Sequence, residues 1–160
     1  MMKVVMEDVC EIIEYEDIYQ PEVKALNYSW LNKYDLWEPI DDEYLDYPRE
    51  TAIDSGGFIL LARANGKIIG TVFFVPIKDS KMGEVCKLCV SEELQGKGIG
   101  EILLKRTIDR VKKNGFEHLI LYSNHKLVKA LRLYQKVGFE FIEDNGNHYE
   151  TSDIKMALKL

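Results

Sequence analysis

The sequence predicts one α/β domain of the α+β type over residues 1–160, built on a mixed, mostly antiparallel central sheet with flanking helices. Three observations predict it. Asn65-Gly66 separates two apolar runs, 58–62 and 68–76, and Asn-Gly in that setting is a strong hairpin signal. A strand-like run at 83–90, a helical period over 99–114 and a continuously apolar run at 118–123 spell a single parallel crossover. The runs at 139–143 and 154–160 are joined by the polar turn Asp144-Asn145-Gly146-Asn147, which returns the chain antiparallel.

Taken in order, residues 9–15 form a first strand. Val23, Leu26, Trp30 and Leu31 keep helical spacing within 18–34, with Pro21 near the start. A second helix is expected over 44–53, broken by Pro48 and ended by Gly56-Gly57. The hairpin and the 83–90 strand follow. Ile99, Ile102, Leu103, Leu104, Ile108 and Val111 then mark one helix face, closed by Asn114-Gly115. The strand 118–123 leads to a helix over 127–137 capped by Gly138, and the two C-terminal strands complete the order. No internal repeat, low-complexity tract or Pro/Ser-rich linker divides the chain.

Composition bounds the function. Apolar residues make up 46% and charged residues 30%, as in a soluble globular protein. No apolar run reaches the roughly 20 residues a bilayer crossing needs, and with Glu7, Asp8, Glu11 and Glu14 early in the sequence a basic leader is not expected. A cytoplasmic protein with no membrane partner is expected. The net charge is −6, but residues 1–57 hold 15 Asp and Glu against 4 Lys and Arg, and the remainder holds 17 Lys and Arg against 12 Asp and Glu. That split suits a protein meeting a cation with one half and phosphates with the other, although solvated helix faces produce it equally well. With no dense basic stripe, nucleic acid is not expected as a partner.

Three cysteines, Cys10, Cys86 and Cys89, are an odd set that argues against a disulfide framework. Cys86-Lys87-Leu88-Cys89 spells CxxC, but residues three apart on a strand face opposite ways, and no second motif completes a metal set. No metal is expected.

Gln95-Gly96-Lys97-Gly98-Ile99-Gly100 lies between a strand and the first turn of a helix. There, unpaired N–H groups and the helix dipole can hold a phosphate, and glycines let the backbone approach it. The run is neither a Walker A loop nor a GxGxxG fingerprint, since the third Gly arrives one residue early. By itself it is also compatible with a structural turn.

Its neighbours narrow it. Gln95-x-x-Gly98-x-Gly100 matches the [RQ]-x-x-G-x-[GA] signature of the GNAT superfamily of N-acetyltransferases. Leu88-Cys89-Val90-Ser91 before it and Leu133-Tyr134-Gln135-Lys136-Val137-Gly138-Phe139 after it also resemble that family, in its order and spacing. The resemblance is close over 83–141 and weaker beyond.

The resemblance implies acetyl-CoA as co-substrate and a GNAT-like sheet splayed at the CoA site between 84–90 and 118–123. It implies main-chain bonds from Leu88 and Val90, flanking Cys89, to pantetheine. It implies backbone N–H groups of Gln95, Gly96, Lys97, Gly98, Ile99 and Gly100 on the pyrophosphate, Lys97 adding charge or remaining a solvated lysine. Tyr134 matches the family's general acid, and Glu84 lies where some members keep a general base, with His125 and His148 as rivals. Many members carry an Asn at the position of Leu127, and Asn124 is the candidate substitute for holding the cofactor.

The acceptor is expected among primary amines. The stretch 28–47 interleaves Tyr28, Trp30, Tyr34, Trp37, Tyr44 and Tyr47 with carboxylates, which suits a small cationic or amino-acid-like amine. A peptide or protein amine is next, then a CoA-binding regulatory module without turnover. A homodimer is left open.

Overall fold

The computed structural model describes residues 10–146 and 149–160. Its elements are β1 (Glu11–Glu14), α1 (Gln20–Lys33), α2 (Pro39–Asp46), β2 (Phe58–Ala64), β3 (Lys67–Pro76), β4 (Met82–Val90), α3 (Ile99–Lys113), β5 (His118–Ser123), α4 (Val128–Val137), β6 (Glu140–Ile142) and β7 (Ile154–Lys159). The strands form one seven-stranded sheet in the order β1-β2-β3-β4-β5-β7-β6. Only β4 and β5 pair in parallel, through the α3 crossover, and every other neighbouring pair is antiparallel. The expected mixed, mostly antiparallel sheet is the one observed.

Local chemistry explains most boundaries. The β2–β3 turn places Asn65 at φ 51° and Gly66 at φ 75°, the two left-handed residues a tight hairpin of matching twist requires. Pro21 sits in the first turn of α1, where its missing N–H costs nothing.

The second helix departs from expectation. It begins at Pro39 and ends at Asp46, and residues 49–53 form a separate wide turn. Pro39 in the first turn and Asp41 and Asp42 near the helix N-terminus are a start signal of their own. Val9 of the expected first strand and Asn147 of the expected turn lie outside the described residues.

The core lies on both faces of the sheet. On one face, Leu103, Leu104 and Val111 of α3 are fully buried against residues such as Leu60, Val72 and Phe74. On the other, Val23 of α1 and Leu45 of α2 pack on Leu61 and Phe73. Each such side chain contributes about 1.5–3 kcal/mol of transfer free energy.

Two irregularities in β4 matter for function. It pairs with β5 only over Met82–Glu84. Beyond that point β4 follows β3 to Val90, and β5 follows β7 to Ser123, so the sheet splays open between them. β4 also carries a bulge: its register with β3 jumps between Cys86↔Phe73 and Cys89↔Thr71, and Lys87 takes φ 53°.

The bulge corrects the reading of the CxxC. Because Phe73 and Thr71 are two apart, their partners Cys86 and Cys89 share one face instead of pointing apart. Both thiols are free. Burial pushes the Cys89 thiol up to about 11 and the Cys86 thiol well above its ordinary value, so both stay protonated at neutral pH. Among the described residues no group of three His, Cys, Asp or Glu is placed to hold a metal, and no helix is long and apolar enough to cross a membrane.

Candidate active site

The splay opens onto two connected spaces. The larger, about 680 Å³, is a groove running from Leu88, Cys89 and Val90 past the 95–100 loop, walled on the far side by α4. Alternation along β4 sets which backbone groups face it. Ser91 N–H bonds the Ile69 carbonyl at 2.7 Å, and Cys89 is the partner of Thr71. Cys89 therefore turns its peptide groups to β3, and Leu88 and Val90 turn theirs to the gap.

The loop is fixed by its own residues. Gln95 Nε2 donates to the Val90 carbonyl at 3.2 Å, tying the loop to the end of β4. Gly96 and Gly98 have φ of 81° and 86°, and Gly98 is the N-cap of α3. A side chain at Gly98 would meet the left-handed penalty. We expect Gly98→Ala to cost about 1–2 kcal/mol of stability by denaturant titration and to weaken acetyl-CoA binding with it. Wild-type stability would show that the turn tolerates a Cβ. Gln95, Gly96, Gly98, Ile99 and Gly100 line the groove, whereas Lys97 is exposed and does not.

Cations accumulate on the α4 side, where Lys126, Lys129, Arg132 and Lys136 line the groove. Glu101, on the α3 wall, is paired with Lys136 at 2.7 Å, and that contact holds its carboxyl below the usual range. The groove as a whole is positive, as a polyanionic ligand requires. On the opposite wall the tilted rings of Trp30 and Tyr34 lie with centroids 5.2 Å apart, and Lys126 Nζ reaches the Tyr34 carbonyl at 3.4 Å.

The smaller space, about 110 Å³, lies on the other side of the same opening. Trp30, Leu88, Leu127 and Tyr134 line both and mark the junction. Tyr134 is buried, rests on Phe139 with ring centroids 6.0 Å apart, and has no hydrogen-bond partner for its hydroxyl among the described residues. Desolvation raises its pKa well above the ordinary value, with the neighbouring Cys89 and Cys86 adding to the shift. The phenol at the junction therefore stays protonated across the neutral range.

Around the smaller chamber the polar groups are buried and tied. Glu84 accepts a 2.6 Å hydrogen bond from the Tyr149 hydroxyl, which lies 3.5 Å from that of Tyr44. Burial is the main reason the Tyr149 and Tyr44 phenols titrate far above their ordinary value. Lys87, at the bulge, pairs with buried Asp41 and lies over the Tyr44 ring. Thr71 Oγ1 donates to the Lys87 carbonyl at 2.7 Å, which satisfies the backbone group the bulge frees from the ladder. Glu38 is buried as well, and its carboxylate accepts from the N–H groups of Glu150 and Thr151.

Several expected residues sit apart from this centre. Asn124 lines the smaller chamber, but its amide donates to the Thr151 carbonyl at 2.7 Å and accepts from Lys126 N–H at 2.9 Å. His125 is exposed and paired with Asp153. His148 lies outside the described residues. The aromatic stretch 28–47 is divided: Trp30 and Tyr34 face the groove and Tyr44 approaches the chamber. Tyr28 and Trp37 share Asp42 away from the lining of both spaces.

The sequence reading passed over Tyr149, the Lys87–Asp41 pair and the clasp at Glu38. The carboxylates belonged to the acidic stretch it did notice, but nothing local marks their partners.

Comparison with known proteins agrees with this architecture. The model of the acetyltransferase (GNAT) family matches residues 23–139. A mycothiol acetyltransferase of Saccharomonospora viridis is 27% identical over 128 residues, covering 72% of this chain and 42% of that protein. The N-acetyltransferase family 8 member 2 of Rattus norvegicus is 25% identical over 112 residues, covering 68% and 48%. The chain thus spans less than half the length of these curated relatives.

Among solved structures, a GNAT-family acetyltransferase from Staphylococcus aureus Mu50 superposes with a TM-score of 0.85 at 22% identity, covering 94% of this chain and 98% of that one. The PaiA N-acetyltransferase from Thermoplasma acidophilum, in complex with coenzyme A, gives 0.73 at 22%, covering 94% and 99%. The fold is shared with both. On the family match, whose span holds the splayed strands, the glycine loop and Tyr134, the chain belongs to the acetyltransferase (GNAT) family.

Proposed function

We propose that the protein transfers an acetyl group from acetyl-CoA to a primary amine by direct attack in a ternary complex. The observation that carries this reading is the sheet opening, which joins a positive groove to a chamber of buried carboxylates with Tyr134 at the junction. Leu88 and Val90 offer peptide groups to pantetheine, and the 95–100 loop offers N–H groups to the pyrophosphate at the start of α3. Lys97 adds only long-range charge.

The incoming amine is an ammonium in water and must lose a proton before attack. Glu84 accepts it. The nitrogen then adds to the thioester carbonyl, the tetrahedral adduct collapses as the C–S bond breaks, and the second proton of the nitrogen passes to the departing thiolate to give the free thiol. Tyr134 donates its hydrogen bond to the departing sulfur, whose thiol has a pKa of about 8.5 by analogy with cysteine. Asn124 serves this site by holding the Thr151 segment rather than by touching the donor.

The acceptor we infer is a small cationic or amino-acid-like amine. Glu38, Asp41 and Glu84 are buried around the chamber with Lys87, and Tyr149 adds a ring face. The free thiols of Cys86 and Cys89 accord with work in the cytoplasm.

The test is a calorimetric titration with acetyl-CoA followed by thiol release with diamines, lysine, propylamine, glutamate and short peptides. Thiol release highest with the diamines and lysine is expected. Activity confined to neutral or acidic amines would sink the cationic reading, and preference for peptides would move the acceptor to a polypeptide amine. Tight binding with no amine-dependent release would leave a regulatory CoA-binding module.

A further inference from the structure

The segment 149–153, which leads into β7, is bound to the chamber by residues far away in sequence. Its main anchor is Glu38, the residue that caps α2. Glu38 Oε1 accepts from Glu150 N–H at 3.1 Å, and Oε2 accepts from Thr151 N–H at 2.8 Å and from Thr151 Oγ1 at 2.6 Å. The residue is only 4% exposed, and no Lys, Arg or His of the described residues pairs with it. A buried carboxylate without a cation is tolerated only when several donors converge on it, and here three do.

Other bonds fix the same segment. Asn124 holds the Thr151 carbonyl at 2.7 Å, and Asp153 accepts from His125 N–H at 2.9 Å. The segment then delivers Tyr149, its ring tilted against that of Tyr122 with centroids 5.3 Å apart, onto Glu84 at 2.6 Å. The residues that Glu38 clasps are thus the two that follow Tyr149, whose hydroxyl orients the proposed base.

We propose that Glu38 is a positioning residue for acetyl transfer: by clasping 150–151 it seats the Tyr149 hydroxyl on Glu84 and so shapes the amine end of the site. This rests on the acetyl-transfer reading given above, in which Glu84 is the base. The donor groove does not include Glu38, Tyr149 or Thr151. The clasp therefore acts on the amine half-reaction and leaves the donor's affinity alone.

Glu38→Gln is the informative variant. It keeps the shape but presents an NH2 group to N–H donors, which opposes part of the clasp. With the best amine of the panel above, kcat/KM is expected to fall about tenfold or more, with the acetyl-CoA Kd changed less than about twofold. Tyr149→Phe added to Glu38→Gln should cost less than about twofold further, because both act through one contact. An equal loss of acetyl-CoA affinity, or fully additive effects of the pair, would overturn the proposal.

If Glu38→Gln fails to fold, Thr151→Val removes the 2.6 Å bond alone. It should lower kcat/KM about threefold at unchanged acetyl-CoA Kd, and wild-type kinetics would count against the clasp. Hydrogen exchange separates this from failure of the acetyl-transfer reading. The amides of Glu150 and Thr151 should exchange faster in Glu38→Gln or Thr151→Val whatever the turnover, and unchanged protection would refute the clasp in an inactive protein too.

Discussion

Replacing Tyr134 by Phe is expected to lower acetyl transfer about a hundredfold or more, with the acetyl-CoA Kd changed less than about twofold. The ring fills the same space and keeps its contact with Phe139, so packing and groove survive. What is lost is one O–H at the junction, where charge appears on sulfur only as the C–S bond breaks. An interaction made only then lowers kcat rather than affinity.

The burial of this phenol gives the pH dependence a definite sign. Its pKa is raised, so the group is protonated and neutral across the neutral range. No alkaline fall in rate below about pH 10 should come from Tyr134. For stability, the favourable burial of the neutral ring is fully present below the unfolded value near 10 and is lost as pH rises through the higher folded value. A rate limb near pH 8 that disappears in Tyr134→Phe would contradict this.

Glu84→Gln should produce a loss of similar size by a different route. The amide keeps an oxygen for the Tyr149 hydroxyl but cannot take a proton from the ammonium. We expect kcat/KM at pH 7 to fall about a hundredfold, with part of the loss recovered at high pH as free amine accumulates. Acetyl-CoA binding should hold. Full activity across the pH range would remove Glu84 as base and leave deprotonation to solvent.

The parts of the molecule legible in the sequence are those set by local chemistry. Asn65-Gly66 writes its own turn, the 99–113 period writes its own buried face, and Gly98 and Gly138 mark left-handed positions at helix ends. The glycine loop and Tyr134 could be found because both stand in short, contiguous motifs.

The bulge at Lys87 could not. Its left-handed residue is a lysine, not a glycine or asparagine, and it is held there from outside by Thr71 and Asp41. The side of the sheet on which both cysteines lie followed from that one residue. The clasp at Glu38 joins positions more than 100 residues apart, and no periodicity records it. Trp30 and Tyr34 were visible as aromatics, but composition does not say which wall of a gap a helix face will line. The start of α2 is a different case: Pro39, with Asp41 and Asp42 in the first turn, is a local start signal, and the helix ends before Pro48 instead of running through it.

The splay also bears on how the chain holds itself together. A sheet that parts in its middle has two inner edges, and those edges carry peptide groups with no strand opposite. On the proposed reading, pantetheine lies along one of them and takes the place of a missing strand, a small-molecule counterpart of β-augmentation. The donor is then a structural component as well as a reagent: at a hundred times its Kd it would add about 2.7 kcal/mol to the folded state. The same gap that admits the thioester makes the protein's cohesion a reading of how much acetyl-CoA surrounds it.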